Sequence, residues 1–354
     1  MSSAWIGLIL ALRVFAADKP PALDLNDFSN TNSVTLLLAE AVRGRPLPGQ
    51  GLQHIYWERD GQTAVISVES TPCRCLSFPD QRYAKGYLYF AIDPTFKSHD
   101  LSHLRFDVEY FDGFEGREGV FGLQYDATGE EPSRGMSSKP AYPNVPLRGS
   151  GKWLKTSFHV SGGTYQNSGN GRADFRLWAS PPELCVSRVS VTLESPQDKP
   201  VAVPLAFDAA GEATLRDWNL QWDSGAKPAF ARIKPAEPEG LRWLEIRAPG
   251  ELAVGSWRSC VLLAPGAYRF MGRVLTKGMS SDGEPSEGAA LRVGGRGASS
   301  RVREVSQGTT LSYDFVVPTL DYAELVCEFR SEQGSARFDL DSLRLIRRSR
   351  SSPQ

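Results

Sequence analysis

Between residues 104 and 110 the chain alternates without a break. Leu104, Phe106, Val108 and Tyr110 fall on one side, and Arg105, Asp107 and Glu109 on the other. A period of two is that of a strand with one face buried, and no helix could gather those apolar residues on one side. The pattern returns at Phe121, Leu123 and Tyr125, and at Val189, Val191 and Leu193. It appears again at Leu311, Tyr313, Phe315 and Val317, and at Leu325, Cys327 and Phe329. Residues 87–92 form a continuous apolar run, as a central strand would. Asp60-Gly61 and Asp112-Gly113 mark turns between such runs. No stretch sustains a period of 3.6. Residues 33–43 leave two readings open, a short helix or a strand over 34–38.

The chain of 354 residues is long for one sandwich and comfortable for two. Residues 194–200 are polar and hold Pro196 and Pro200, which suits a linker. The expected fold is therefore all-β, with two tandem antiparallel β-sandwiches over 22–195 and 203–348 and a linker over 196–202. Residues 5–12 are an apolar run too short to span a bilayer, followed by the small-residue pattern Val14-Phe15-Ala16. That predicts a signal peptide over 1–17 and a secreted protein, extracellular or periplasmic. No Lys or Arg precedes the run, and Arg13 lies near its end. No later stretch is apolar for long enough to predict a membrane span. The tail over 349–354 reads as disordered. A net charge of -1 gives no electrostatic basis for binding nucleic acid.

Five cysteines are present: Cys73, Cys75, Cys185, Cys260 and Cys327. Cys260 and Cys327 lie in apolar strands and are either a disulfide pair or two small buried hydrophobes. Cys73-Arg74-Cys75 is C-x-C, and no second pair completes a zinc motif. His54, His99, His103 and His159 form no ligand motif.

The second block resembles a known family. Phe207-Asp208 precedes Trp218 by about ten residues, and Trp257 opens a strand that runs through Val261 and Leu263 into Pro265-Gly266-Ala267-Tyr268. Residues 334–345 close with Asp339 and Asp341 before Leu343 and Leu345. In this order the three segments resemble carbohydrate-binding modules of the family four/nine type, which are galactose-binding-like β-jelly-rolls. The first block is more loosely similar to the same superfamily through residues 86–93, 108–112, 152–155 and 173–177. The resemblance implies a non-catalytic protein that binds poly- or oligosaccharide, and a monomer is the expected state. It also implies a structural Ca2+ between Asp208 and Asp341, although Asp208 stands where the family usually has Glu.

Sugars bind by stacking their apolar ring faces on aromatic platforms, with polar side chains meeting the hydroxyls. Trp243, Trp222, Trp257 and Trp178 are the candidate platforms. Trp243 shares strand parity with Glu245 and should face solvent, whereas Trp257 fits the core as well. Trp178 lies opposite Leu177 in parity, as an exposed ring at a strand end would. Trp57 competes with it, while Tyr110 shares the apolar face of its strand. Two other readings remain open. One is a structural or adhesion protein whose sandwiches are spacers or protein-contact modules. The other is a glycoside hydrolase, for which Asp107, Glu109 and Asp112 are the nearest acid cluster. G-x-S-x-G, Walker A and H-E-x-x-H are absent from the sequence.

Overall fold

A computed structural model describes residues 27–41, 49–57, 62–77, 84–113, 117–127, 138–181, 183–233, 242–279 and 284–348. The expected signal peptide and C-terminal tail lie outside these residues.

The first domain has two antiparallel sheets. Sheet A contains β1 (Ser33–Leu37), β3 (Gln62–Val68), β4 (Thr71–Ser77), β6 (His103–Phe111), β9 (Trp153–Ser161) and β11 (Cys185–Leu193). Sheet B is ordered β2 (Leu52–Ile55), β5 (Gly86–Ile92), β10 (Phe175–Ser180), β7 (Gly119–Asp126) and β8 (Ser138–Leu147). Residues 33–37 are thus a strand, paired with β11. Phe106, Val108, Phe121, Leu123, Phe175 and Leu177 fill the space between the sheets, as the alternation predicts. Gly51 adopts φ +65°, and a Cβ there would sit 2.4 Å from Val34 Cγ1, so only glycine lets this turn close on β1.

The second domain repeats the plan. Sheet C holds β12 (Glu212–Thr214), β14 (Ala229–Ile233), β15 (Trp243–Arg247), β17 (Gly266–Lys277), β20 (Thr309–Val317), β22 (Ser335–Asp339) and β23 (Arg344–Arg348). Sheet D is ordered β13 (Asn219–Gly225), β16 (Ala253–Leu263), β21 (Asp321–Ser331), β18 (Gly288–Val293) and β19 (Gly297–Ala298). Trp218, Trp257, Phe270, Leu325, Phe329 and Phe338 form its core. The all-β fold of four antiparallel sheets is therefore the observed one. Among the described residues no helix is long and apolar enough to cross a membrane.

The cysteines differ from the pairing considered above. The disulfide joins Cys75 and Cys185, which face each other across β4 and β11. Cys260 and Cys327 are free. On the β16–β21 ladder Cys327 opposes Trp257 and Cys260 opposes Glu324, three rungs away. Cys327 points into the core and Cys260 to the other face, so strand parity keeps them apart.

His54 is buried against Phe90, edge to face at 5.9 Å. Burial, helped by the Arg74 charge, lowers its pKa to about 3. Below the unfolded value of about 6.5 the unfolded chain takes up a proton that the folded one refuses. Stability from this site is therefore complete above that pH and falls as pH drops toward the folded value. The slope is up to roughly 1.4 kcal/mol per pH unit. Urea unfolding between pH 7 and 4.5 should show a steeper acid loss for the wild type than for His54→Phe. Parallel profiles would mean that His54 is protonated in the folded state.

Candidate functional site

Because successive strand residues alternate, sheet B has a second face turned away from the core. On it the register aligns Tyr89 with Arg176, and Arg176 with Gln124; the next row aligns Tyr87, Trp178 and Gly122. Tyr87 and Tyr89 stack with ring centroids 5.9 Å apart. The Arg176 guanidinium lies 4.4 Å over Tyr87, donates from Nε to Gln124 Oε1 at 2.7 Å and from Nη1 to Tyr89 Oη at 3.2 Å. Asn170 Nδ2 donates to the same hydroxyl at 3.1 Å. The ring of Trp178 carries the Lys85 ammonium 5.0 Å above its centroid. A Cβ on Gly122 would meet Trp178 Nε1 at 2.8 Å and Asn144 Oδ1 at 2.6 Å, so the glycine makes room for both side chains.

The loop carrying Asn170 is held by two buried carboxylates. Asp126 accepts the amides of Gln166 and Ser168, and Asp174 accepts the Asn167 amide and pairs with Lys97 at 2.7 Å. Burial raises the Asp174 pKa, and the Lys97 bond opposes that rise.

The second domain closes one end of this face. Ser180 Oγ donates to the Trp222 carbonyl at 2.9 Å and accepts the Trp222 amide at 3.1 Å, as a strand neighbour would. Asn144 Nδ2 donates to Glu324 Oε1 at 3.3 Å, and Tyr142 lies 5.9 Å from the Tyr322 ring. Behind these contacts the outer face of sheet D carries an ionic cluster. Arg258 pairs with Asp223 at 2.6 Å and Glu324 at 2.5 Å and donates to Ser256 at 2.9 Å. Burial lowers the Lys85 pKa; Arg258 and Arg176 add to that, while Asp223 and Glu324 oppose it. On the other side of the Ser180–Trp222 bridge lies a cavity of about 980 Å³, lined among others by Ile66, Cys75, Phe111, Cys185, Trp222 and Phe230.

The tryptophans singled out in the sequence are dispersed. Trp178 lies on the outer face, as its parity predicts, but only 6% of it is exposed, because the ring lies flat and Lys85 covers it. Trp222 is buried at the junction, with Nε1 donating to Ser224 O at 3.2 Å. Trp257 is buried in the core of the second domain, where Nε1 donates to Glu245 O at 3.1 Å. Trp243 is half-buried on the outer face of sheet C, beside Glu245, which binds Arg247 and Arg337. Tyr110 is core and meets Phe121 edge to face.

Asp208 Oδ1 accepts the Glu212 amide at 2.8 Å, and Asp341 is ion-paired with Arg242, which lowers its pKa. Of the acid cluster, Asp107 bonds Arg105 and Ser157, Glu109 pairs with Lys155, and Asp112 is buried, accepting the amides of Arg148 and Ser150. The sequence reading missed Tyr87, Tyr89 and Arg176. Two tyrosines spaced by two inside an apolar run were the available signal.

No family model and no curated protein matches the sequence. Solved structures do. The N-terminal CBM22-1–CBM22-2 tandem domain of Paenibacillus barcinonensis Xyn10C aligns over 89% of this chain and 96% of its own, at 8% identity and a TM-score of 0.29. TmCBM61, solved in complex with β-1,4-galactotriose, aligns over 38% of this chain and 91% of its own, at 14% identity and a TM-score of 0.27. The CBM22-1–GH10 modules of the Clostridium thermocellum xylanase 10B, complexed with xylohexaose, align over 41% of this chain and 26% of their own length, at 10% identity and a TM-score of 0.28. At such scores the likenesses carry no ligand across to this chain.

Proposed function

We propose that the chain is a non-catalytic carbohydrate-binding protein and that the outer face of sheet B is its binding platform. One observation carries this reading: the half-buried ring of Tyr87 on the outer face, held by the stacked Tyr89, itself only 1% exposed, and by Arg176, which bridges the pair to Gln124. A partly exposed aromatic ring beside a guanidinium and amides suits the two sides of a sugar, its ring face and its hydroxyls. The family resemblance of the second block supports the same ligand class, a poly- or oligosaccharide. The proposed location is extracellular or periplasmic. The Cys75–Cys185 disulfide supports that, since such bonds persist in oxidising compartments.

A second reading has its own support. The burial of Trp178 and the Ser180–Trp222 bridge suit two sandwiches locked into one rigid spacer or protein-contact unit.

Retention on a panel of immobilised polysaccharides separates the two. A carbohydrate-binding protein is retained on at least one glycan, and Tyr87→Ala weakens retention about tenfold or more, roughly 1.4 kcal/mol. Loss in Trp243→Ala alone would move the platform to sheet C. Loss with EGTA, and equally in Asp208→Asn, would support a Ca2+ held by Asp208 and Asp341, as the family resemblance implies. A folded protein retained on nothing would leave the spacer reading in front.

A further inference from the structure

Three sulfurs meet where the sequence shows only a C-x-C pair. Cys73 and Cys75 share a face of β4, and β11 brings Cys185 opposite Cys75. Cys73 Sγ lies 3.7 Å from Cys75 Sγ, and the three Sγ atoms all lie within 4.8 Å of one another. Val68, Phe111 and Trp153 pack around them. Cys73 is fully buried, and its thiol is turned toward the Ile66 carbonyl at 3.5 Å. Cys75 and Cys185 line the 980 Å³ cavity between the domains, so a small reductant and an ion have a path to the sulfurs.

This triangle could shuffle its disulfide or bind an ion, and the geometry decides between them. Thiolate attack on a disulfide runs in line with the breaking bond, which would put Cys73 Sγ about 5.7 Å from Cys185 Sγ. The observed separation is within 4.8 Å, so the attack is far from linear. A metal–thiolate bond of about 2.3 Å, by contrast, puts sulfurs about 3.8–4.0 Å apart around a common ion. Cys73 and Cys75 already stand at that spacing, and parting Cys185 from Cys75 by about 2 Å completes the triangle.

We propose that Cys73, Cys75 and Cys185 form a redox-gated three-thiolate site for a soft d10 cation, with the cuprous ion as the fitting member. A dithiol reductant cleaves Cys75–Cys185, yielding two thiols and the oxidised dithiol. The ion then binds three sulfurs as their three protons leave to solvent. Among the described residues no His, Asp or Glu joins the cluster. An all-sulfur donor set selects soft ions over calcium or magnesium. Burial raises the Cys73 pKa, and a coordinated cation overrides that by displacing the proton outright.

The test uses the full chain, reduced with a phosphine and desalted without oxygen, then titrated with Cu(I) against a chromophoric Cu(I) chelator. The reduced protein withdraws one equivalent and the oxidised protein none. Cys73→Ser keeps the disulfide partners and weakens uptake at least tenfold, whereas Cys260→Ser and Cys327→Ser leave it unchanged. Bound Cu(I) also raises the melting temperature of the reduced protein, because it binds the folded state. Absent uptake overturns the proposal, as does uptake indifferent to Cys73→Ser. Uptake only by a chain that has lost its near-UV dichroism overturns it too.

Discussion

Replacing Cys75 and Cys185 together by alanine lowers the stability of the first domain by roughly 4–5 kcal/mol. The bond spans 110 residues of sequence and joins β4 to its neighbour β11, the last strand of sheet A in chain order. It therefore closes most of the domain into one loop, and in the chain-entropy account the unfolded ensemble loses the freedom that this loop would otherwise have. For a domain of this size the loss corresponds to a fall in melting temperature of roughly 10–15 °C. Calorimetry of the double variant beside Cys260→Ser measures it. A fall confined to the first transition is the expected result, since no disulfide ties the described residues of the second domain. Equal melting of the double variant and the wild type would show that the bond does not form in solution.

Arg258→Met should be nearly as costly. The guanidinium is 15% exposed and stands between Asp223 and Glu324, themselves 15% and 10% exposed. Removing it leaves two carboxylates close together without a counter-ion, which costs about 3–5 kcal/mol for a buried pair. Lys85 and Asn144 of the first domain face the same group, so the junction should loosen along with the second domain. Denaturant unfolding gives the stability, and limited proteolysis of the 194–203 segment reports the junction. Adding Asp223→Asn and Glu324→Gln to Arg258→Met should restore most of the loss, because the stranded charges disappear. A change within about 0.5 kcal/mol for Arg258→Met alone would mean that water reaches the cluster.

The strands were legible because alternation is a local property. Leu104 to Tyr110 had to bury one face, and that face is the core of the first domain. The same parity correctly placed Trp178 opposite Leu177 and Trp243 beside Glu245. Parity says which side of a sheet a residue takes, but not what covers that side. Trp178 is on the outer face, yet Lys85 and the flat lie of its ring over Gly122 hide it. The tyrosine pair of β5 was hidden differently. In a run as apolar as residues 87–92, composition masks which residues turn outward, and only pairing with Arg176 on β10 marks Tyr87 and Tyr89 as sharing the face turned away from the core, where Tyr89 is nonetheless covered.

The cysteines show the limit most sharply. Cys260 and Cys327 look alike in sequence, both within apolar strands, but a three-rung offset and opposite faces separate them. Cys75 and Cys185 are 110 residues apart and nothing local connects them. Side-chain period and turn chemistry act over a few residues, so the sequence by itself determined an all-β chain with strands of known inward and outward faces. Strand order, the pairing of β4 with β11 and the meeting of sheets B and D depend on which surfaces bury each other. These were decided only in the tertiary structure, and with them the tyrosine pair, the Arg258 cluster and the three-sulfur triangle.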